Sequence, residues 1–262
     1  MLISISELIL KSIALYKNNA KRFITYSFLI FVPGAFITIF SAILPILIPE
    51  RFTLGIIGAS YIIYILLAII LSFVSFWFSL AFIRVITKNY NGTAVGTMGE
   101  EIHEAKAIFW PSFWTYILTG LAVFGGMLLL VIPGIIFGLW FAFSIYVTAI
   151  DNKRPIQAMK TSKQLVDGRW WKVFWRILIP SLVFGIAIII IQYIITLPLE
   201  YILENTNPQT LLYVTWGVLA TLIISLCMLF LTPLITSVYI ILYTELKKHP
   251  LQKETPPATL AK

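Results

Sequence analysis

The chain has 262 residues, 60% of them apolar and 11% charged, with 19 Lys and Arg against 11 Asp and Glu for a net charge of +8. Soluble domains run at roughly 45–50% apolar and about 25% charged, and so few ionic groups cannot furnish a water-facing surface for a chain of this size. Lipid is therefore the solvent, and a cytosolic enzyme is excluded.

A bilayer core about 30 Å thick takes roughly 20 helical residues to cross. Residues 6–17 come first, with Leu8, Ile9, Ile13 and Tyr16 on one side and Glu7, Lys11 and Lys17 elsewhere, the pattern of a short helix lying on the membrane. Glu7 falls within the apolar start and no small-residue cleavage site follows, so this segment does not read as a cleavable signal. Two uncharged runs, residues 23–48 and 55–83, parted at Pro49-Glu50-Arg51, form a hairpin. The uncharged stretch 107–150 holds two crossings, about 107–132 and 135–150. Pro133-Gly134 is the expected turn and Gly125-Gly126 the alternative, since both pairs punctuate a helix. Runs 177–199 and 211–244 make the last hairpin. The second of these exceeds the core and must tilt, kink near Pro233 or protrude.

The predicted fold is all-α. One integral membrane domain over residues 1–248 carries six transmembrane helices in three hairpins with amphipathic cytoplasmic helices, followed by a disordered tail over 249–262 that contains Pro250, Pro256 and Pro257. Threaded this way, every Lys and Arg except Arg51 falls on one face, which the positive-inside rule places in the cytoplasm together with both termini. The net charge then describes a membrane face suited to anionic headgroups. No nucleic acid is needed to explain it, because Trp170, Trp171 and Trp175 sit where interfacial anchors belong rather than as stacking platforms.

A basic and aromatic edge precedes each hairpin: Lys21-Arg22-Phe23, Lys106 with Phe109-Trp110, and Arg169-Trp170-Trp171-Lys172. Arg22 to Pro33 and Arg169 to Pro180 share one spacing. A parallel repeat of surface helix plus hairpin is one reading of this, and chance is the other.

Catalysis or ion coupling inside a membrane calls for ionisable groups at depth, and the runs contain none. Gln192 is the strongest polar group there and reads as helix packing. His103 and His249 are the two histidines and Cys227 the one cysteine, so neither a cofactor nor a metal is expected. Glu100, His103 and Glu104 share a helical face with ligand spacing, but acids in a first turn complement the helix dipole, and Glu101 and Glu104 flank Lys106 in water. No nucleophile elbow or phosphate loop is present, and no base is placed to activate a hydroxyl. The chain reads as a non-enzyme.

Residues 151–176 form the most informative segment. Pro155 opens a helix with Ile156, Met159, Lys163 and Val166 at near-helical spacing. An anchored surface helix with a basic rim explains the pattern. The functional reading adds headgroup or cytosolic-partner contacts at Lys160, Lys163, Arg169, Lys172 and Arg176.

The run Val131-Ile132-Pro133-Gly134-Ile135-Ile136, then Ala149-Ile150-Asp151, then residues 158–171 ending in Asp167-Gly168-Arg169-Trp170-Trp171, resembles the membrane domain that some bacteria fuse to glycerophosphodiester phosphodiesterases, and related free-standing inner-membrane proteins. That family commonly has Glu where Asp151 stands and Arg-Ser where Thr161-Ser162 is found. The resemblance implies a lipid-associated membrane module. It does not imply phosphodiesterase activity, which needs a separate barrel of roughly 250 residues with acidic and histidine ligands. A second stretch, Trp171 to Pro180 with Gly168 upstream, resembles the end of the coupling loop in ABC importer permeases, without that motif's acidic start. It implies the alternative function, a permease subunit coupling to an ATPase through 151–176. The first reading is a membrane-structural or lipid- and amphiphile-handling module.

Overall fold

The computed structural model describes residues 2–47, 54–204 and 211–251, and every element among them is helical. In chain order these are α1 (Ile5–Asn18), α2 (Ala20–Leu47), α3 (Leu54–Tyr90), α4 (Met98–Ala107), α5 (Phe109–Leu129), α6 (Val131–Trp140), α7 (Ser144–Asp151), α8 (Pro155–Val166), α9 (Trp170–Glu204) and α10 (Leu211–Lys248). Six stretches are long and apolar enough to cross a membrane: within α2, within α3, α4 with α5, α6 with α7, within α9 and within α10. The chain is an all-α, multi-pass membrane protein. Helices suit this solvent because each satisfies its own backbone polar groups where lipid offers no partner.

One order recurs three times: a short helix and then a membrane hairpin, as α1 with α2 and α3, α4 with α5 to α7, and α8 with α9 and α10. Local chemistry starts the short helices. Ser4 accepts the Glu7 N–H to cap α1, Thr97 and Glu100 form a reciprocal capping box on α4, and Pro155 opens α8.

Most of the buried side chains gather toward the end of the bundle that carries the basic residues. One cluster joins Leu8 of α1, Val147 of α7, Ala158 and Val166 of α8, Val173 of α9 and Leu242 and Leu246 of α10. A second joins Phe23 and Tyr26 of α2, Phe82 and Ile86 of α3, Ala105 of α4 and Ile240 of α10. Farther along, the long helices turn apolar side chains outward, such as Ile62, Leu66 and Ile70 of α3 and Ile186, Ile190 and Tyr193 of α9. In water that would be an aggregation surface; in lipid it is the solvated face.

Several sequence expectations change. The second hairpin turns neither at Pro133-Gly134 nor at Gly125-Gly126 but at Leu130, in extended backbone between α5 and α6. The glycines serve the legs instead: a Cβ on Gly126 would lie 3.1 Å from the Gly134 Cα, and one on Gly134 would meet the Met127 side chain. Pro133 falls in the first turn of α6, where its missing N–H costs no helical bond.

The fourth crossing, expected to be continuous, is broken over residues 141–143 between α6 and α7. Glu101, expected in water, is fully buried. Its carboxylate takes the Lys88 ammonium at 2.7 and 2.9 Å and the Gly96 N–H at 2.8 Å. The last turns of α3 are thereby clamped to α4. Of the expected tail, His249 to Leu251 lie against the α8–α9 junction, and residues 252–262 lie outside the described residues, as does the Pro49-Glu50-Arg51 turn.

Candidate functional site

Residues 151–176 fold as the end of α7, a sharp reversal, α8, a second reversal and the start of α9. Asn152 takes the left-handed conformation (φ 55°) that closes α7, and Gly168 takes another (φ 76°) before α9. Asp151 sits at the negative end of α7's dipole, where an unpaired carboxylate is disfavoured. It is offset by the Tyr243 hydroxyl at 2.8 Å and the Lys247 ammonium at 2.7 Å, which tie α7 to α10.

α8 does more than rest on the surface. Ala158, Ser162 and Val166, spaced by four, form a buried face that seats against α7 and the break before it. Ser162 donates to the Trp140 carbonyl at 2.7 Å and accepts the Phe143 N–H at 3.1 Å. Those are the backbone groups the break releases: Ala142 turns back to Leu139 and Ser144 to Phe141 in place of regular α-helical bonds.

The candidate cations divide into three kinds. Lys160 and Lys172 are exposed. Lys163 is half-buried, with its ammonium 4.0 Å from the Trp140 ring centroid. Arg176 is half-buried and donates to the Ile3 carbonyl at 2.7 Å and the Lys172 carbonyl at 2.8 Å, pinning the segment before α1. Arg169, expected to meet headgroups on the surface, is instead buried at 6% exposure. Its guanidinium donates to the carbonyls of Leu165 at 2.7 Å, His249 at 2.6 Å and Leu246 at 3.0 Å. It thus caps the C-terminus of α10, and burial lowers its pKa. The sequence signal for this role lies 77 positions away, beyond the reach of local pattern.

Of the interfacial tryptophans, Trp171 and Trp175 are exposed on α9 one turn apart, with Lys172 between them. Trp170 is half-buried and stacks on Phe174 with centroids 5.3 Å apart. Lys153, a basic residue outside the candidate set, is brought to the same region by its 3.1 Å bond to the Thr161 hydroxyl. On the α4 side, Glu100 is engaged in the capping box, and Glu104 receives Arg84 at 2.7 Å and Lys88 at 3.1 Å. The acids of the ligand-spaced face are committed to local structure, and the described residues hold no cluster of three or more metal-ligating side chains.

Residues 106–262 match the family described as the membrane domain of glycerophosphoryl diester phosphodiesterase. The chain belongs to this family. The match covers more than half of the chain, takes in α5 to α10, and includes the Leu130 turn, the Ser162 contact and the Arg169 cap. It is to the membrane domain alone. No curated protein and no solved structure matches the chain. Within this member of the membrane-domain family, residues 1–105 lie outside the matched region, yet they supply Ile3 to Arg176 and Tyr90 to Glu245.

Proposed function

We propose that the protein is a non-catalytic module of the bacterial inner membrane, with both termini in the cytoplasm, that holds anionic lipid at the rim formed by α8 and the start of α9. The observation that carries this reading is the exposure of Lys160 on α8 and of Lys172 on α9, the latter lying in sequence between the outward-facing Trp171 and Trp175. Tryptophan prefers the headgroup level, and each basic residue near an anionic surface contributes about 1 kcal/mol. Lys163 and Arg176 flank the rim but are partly committed to Trp140 and Ile3. An apolar groove of about 570 Å³ between α3 and α5, lined by Phe73, Phe76, Phe113 and Tyr116 among others, suits an acyl chain and supports amphiphile handling. The permease reading gains no comparable observation, since α8 turns its inner face into the Trp140–Phe143 break.

The test is thermal unfolding of the purified chain in nanodiscs of phosphatidylcholine with and without phosphatidylglycerol. Anionic lipid is expected to raise the midpoint, and Lys160→Gln with Lys172→Gln to remove most of the rise while leaving the phosphatidylcholine value unchanged. An equal rise in the double variant contradicts the proposal.

A further inference from the structure

The basic and aromatic edge of the first hairpin, Lys21-Arg22-Phe23, takes no part in the α8–α9 rim. Its two cations are exposed in the first turn of α2, which holds no acidic residue, and neither forms an ion pair among the described residues. Local helix chemistry does not account for them, because positive charge near a helix start opposes the dipole.

Both side chains line a cavity of about 290 Å³, together with Tyr26 one turn farther along α2 and residues 96–98 at the start of α4. Tyr26 is 2% exposed and its ring lies parallel to that of Phe82 with centroids 5.9 Å apart. Its hydroxyl has no hydrogen-bond partner among the described residues. A buried hydroxyl left unpaired is costly, and this one belongs to a side chain that shares its cavity with two unpaired cations.

The wall across from them does not supply the missing acceptor. Glu100 and Glu101 lie behind it, where Glu100 accepts the Thr97 N–H at 2.9 Å and Glu101 accepts the Gly96 N–H at 2.8 Å and pairs with Lys88. These bonds satisfy the start of α4, so that helix end needs no anion. No carboxylate stands in the lining itself, and its two charged side chains are both positive.

We propose that this cavity binds a phosphate group, carried by a lipid headgroup or free in solution, with the Tyr26 hydroxyl as its buried donor and Lys21 and Arg22 as its counter-charges. A phosphate offers several strong acceptor oxygens, enough to take a hydroxyl, an ammonium and a guanidinium at once. The apolar crossing of α2 begins at Ala20, which sets the site at the level where headgroups meet water. The site uses none of the rim residues, lies outside the matched residues 106–262, and does not rest on the rim reading.

The test uses the full chain carrying Lys160→Gln and Lys172→Gln, which silences the rim, purified in a maltoside detergent that contains no phosphate. Inorganic phosphate is titrated by calorimetry in one arm, and phosphatidic acid is added in the other and its retention read by native mass spectrometry. Saturable binding of one phosphate group per chain is expected in at least one arm, weakened about tenfold by Tyr26→Phe and about fivefold by Arg22→Gln. Binding in the first arm identifies the phosphate group alone as sufficient, and binding in the second arm only identifies a headgroup. Tyr26→Phe keeps the ring on Phe82 and removes an unpaired hydroxyl, so its melting point without ligand is expected to stay level or rise. No saturable binding in either arm, equal binding in Tyr26→Phe, or a ligand-free melting point that falls in that variant overturns the proposal, the last because the hydroxyl would then have a partner within the protein.

Discussion

The hydroxyl of Ser162 lies in the gap of the fourth membrane crossing, 3.1 Å from the Phe143 nitrogen, and supplies the acceptor that an unbroken helix would have found in its own preceding turn. Together with its bond to the Trp140 carbonyl, this lets the break persist without orphaned backbone groups. Ser162→Ala is expected to destabilise the protein by about 3 kcal/mol, the cost of two buried groups left unsatisfied. Thermal unfolding in detergent checks this, and a change below about 0.5 kcal/mol would show that the break does not depend on the hydroxyl.

The Lys88–Glu101 pair is a second long-range clamp, with the Glu101 side chain 1% exposed and Lys88 26%. Removing Glu101 breaks this buried pair but leaves Lys88 its 3.1 Å contact with Glu104, which tempers the loss. Glu101→Gln is expected to cost about 2 kcal/mol. Glu104→Gln, at a side chain 47% exposed, should cost under about 1 kcal/mol. Equal losses in chemical denaturation would contradict the assignment of Glu101 as the buried member.

The α5–α6 hairpin predicts a contrast between neighbouring glycines. A Cβ at Gly125 meets nothing within 4 Å, whereas one at Gly126 lies 2.8 Å from the Phe137 ring and 3.1 Å from the Gly134 backbone. Gly126→Ala should destabilise by about 1–3 kcal/mol through overpacking. Gly125→Ala should be neutral or slightly stabilising, because alanine is the better helix former. Melting points of the two variants decide it.

Arg176 is expected to behave differently from Lys160 although both carry a positive charge on the same segment. Its bond to the Ile3 carbonyl is lost in Arg176→Gln, so amide exchange in the first turn of α1 should rise. Lys160→Gln should leave that exchange unchanged.

The six crossings were legible because lipid imposes a simple condition, a long run without charge. The same uniformity hid the break, since Phe141-Ala142-Phe143 is as apolar as its flanks and the group that stabilises the gap comes from α8. It also hid the turn. Leu130 has no conformational signature, and Gly126 and Gly134 mark the close approach of the two legs instead of the turn. The candidate site was legible as a basic and aromatic segment but not as a set of orientations. Arg169 and Lys172 read alike in sequence; one is captured by the C-terminus of α10 and the other faces solvent. Glu101 and Glu104 likewise read as solvated partners of Lys106, because the Lys88 that buries one of them precedes the helix on another element.

The most direct test of the central claim, that this membrane module holds anionic lipid at the α8–α9 rim, is purification from native membranes in mild detergent with mass spectrometry of all retained lipids and proteins. The account expects anionic phospholipid to co-purify with the wild-type chain and to fall by several-fold in the Lys160→Gln, Lys172→Gln double variant, with no stoichiometric ATPase present. Equal retention in both forms, or an ATPase in fixed ratio to the chain, would contradict it.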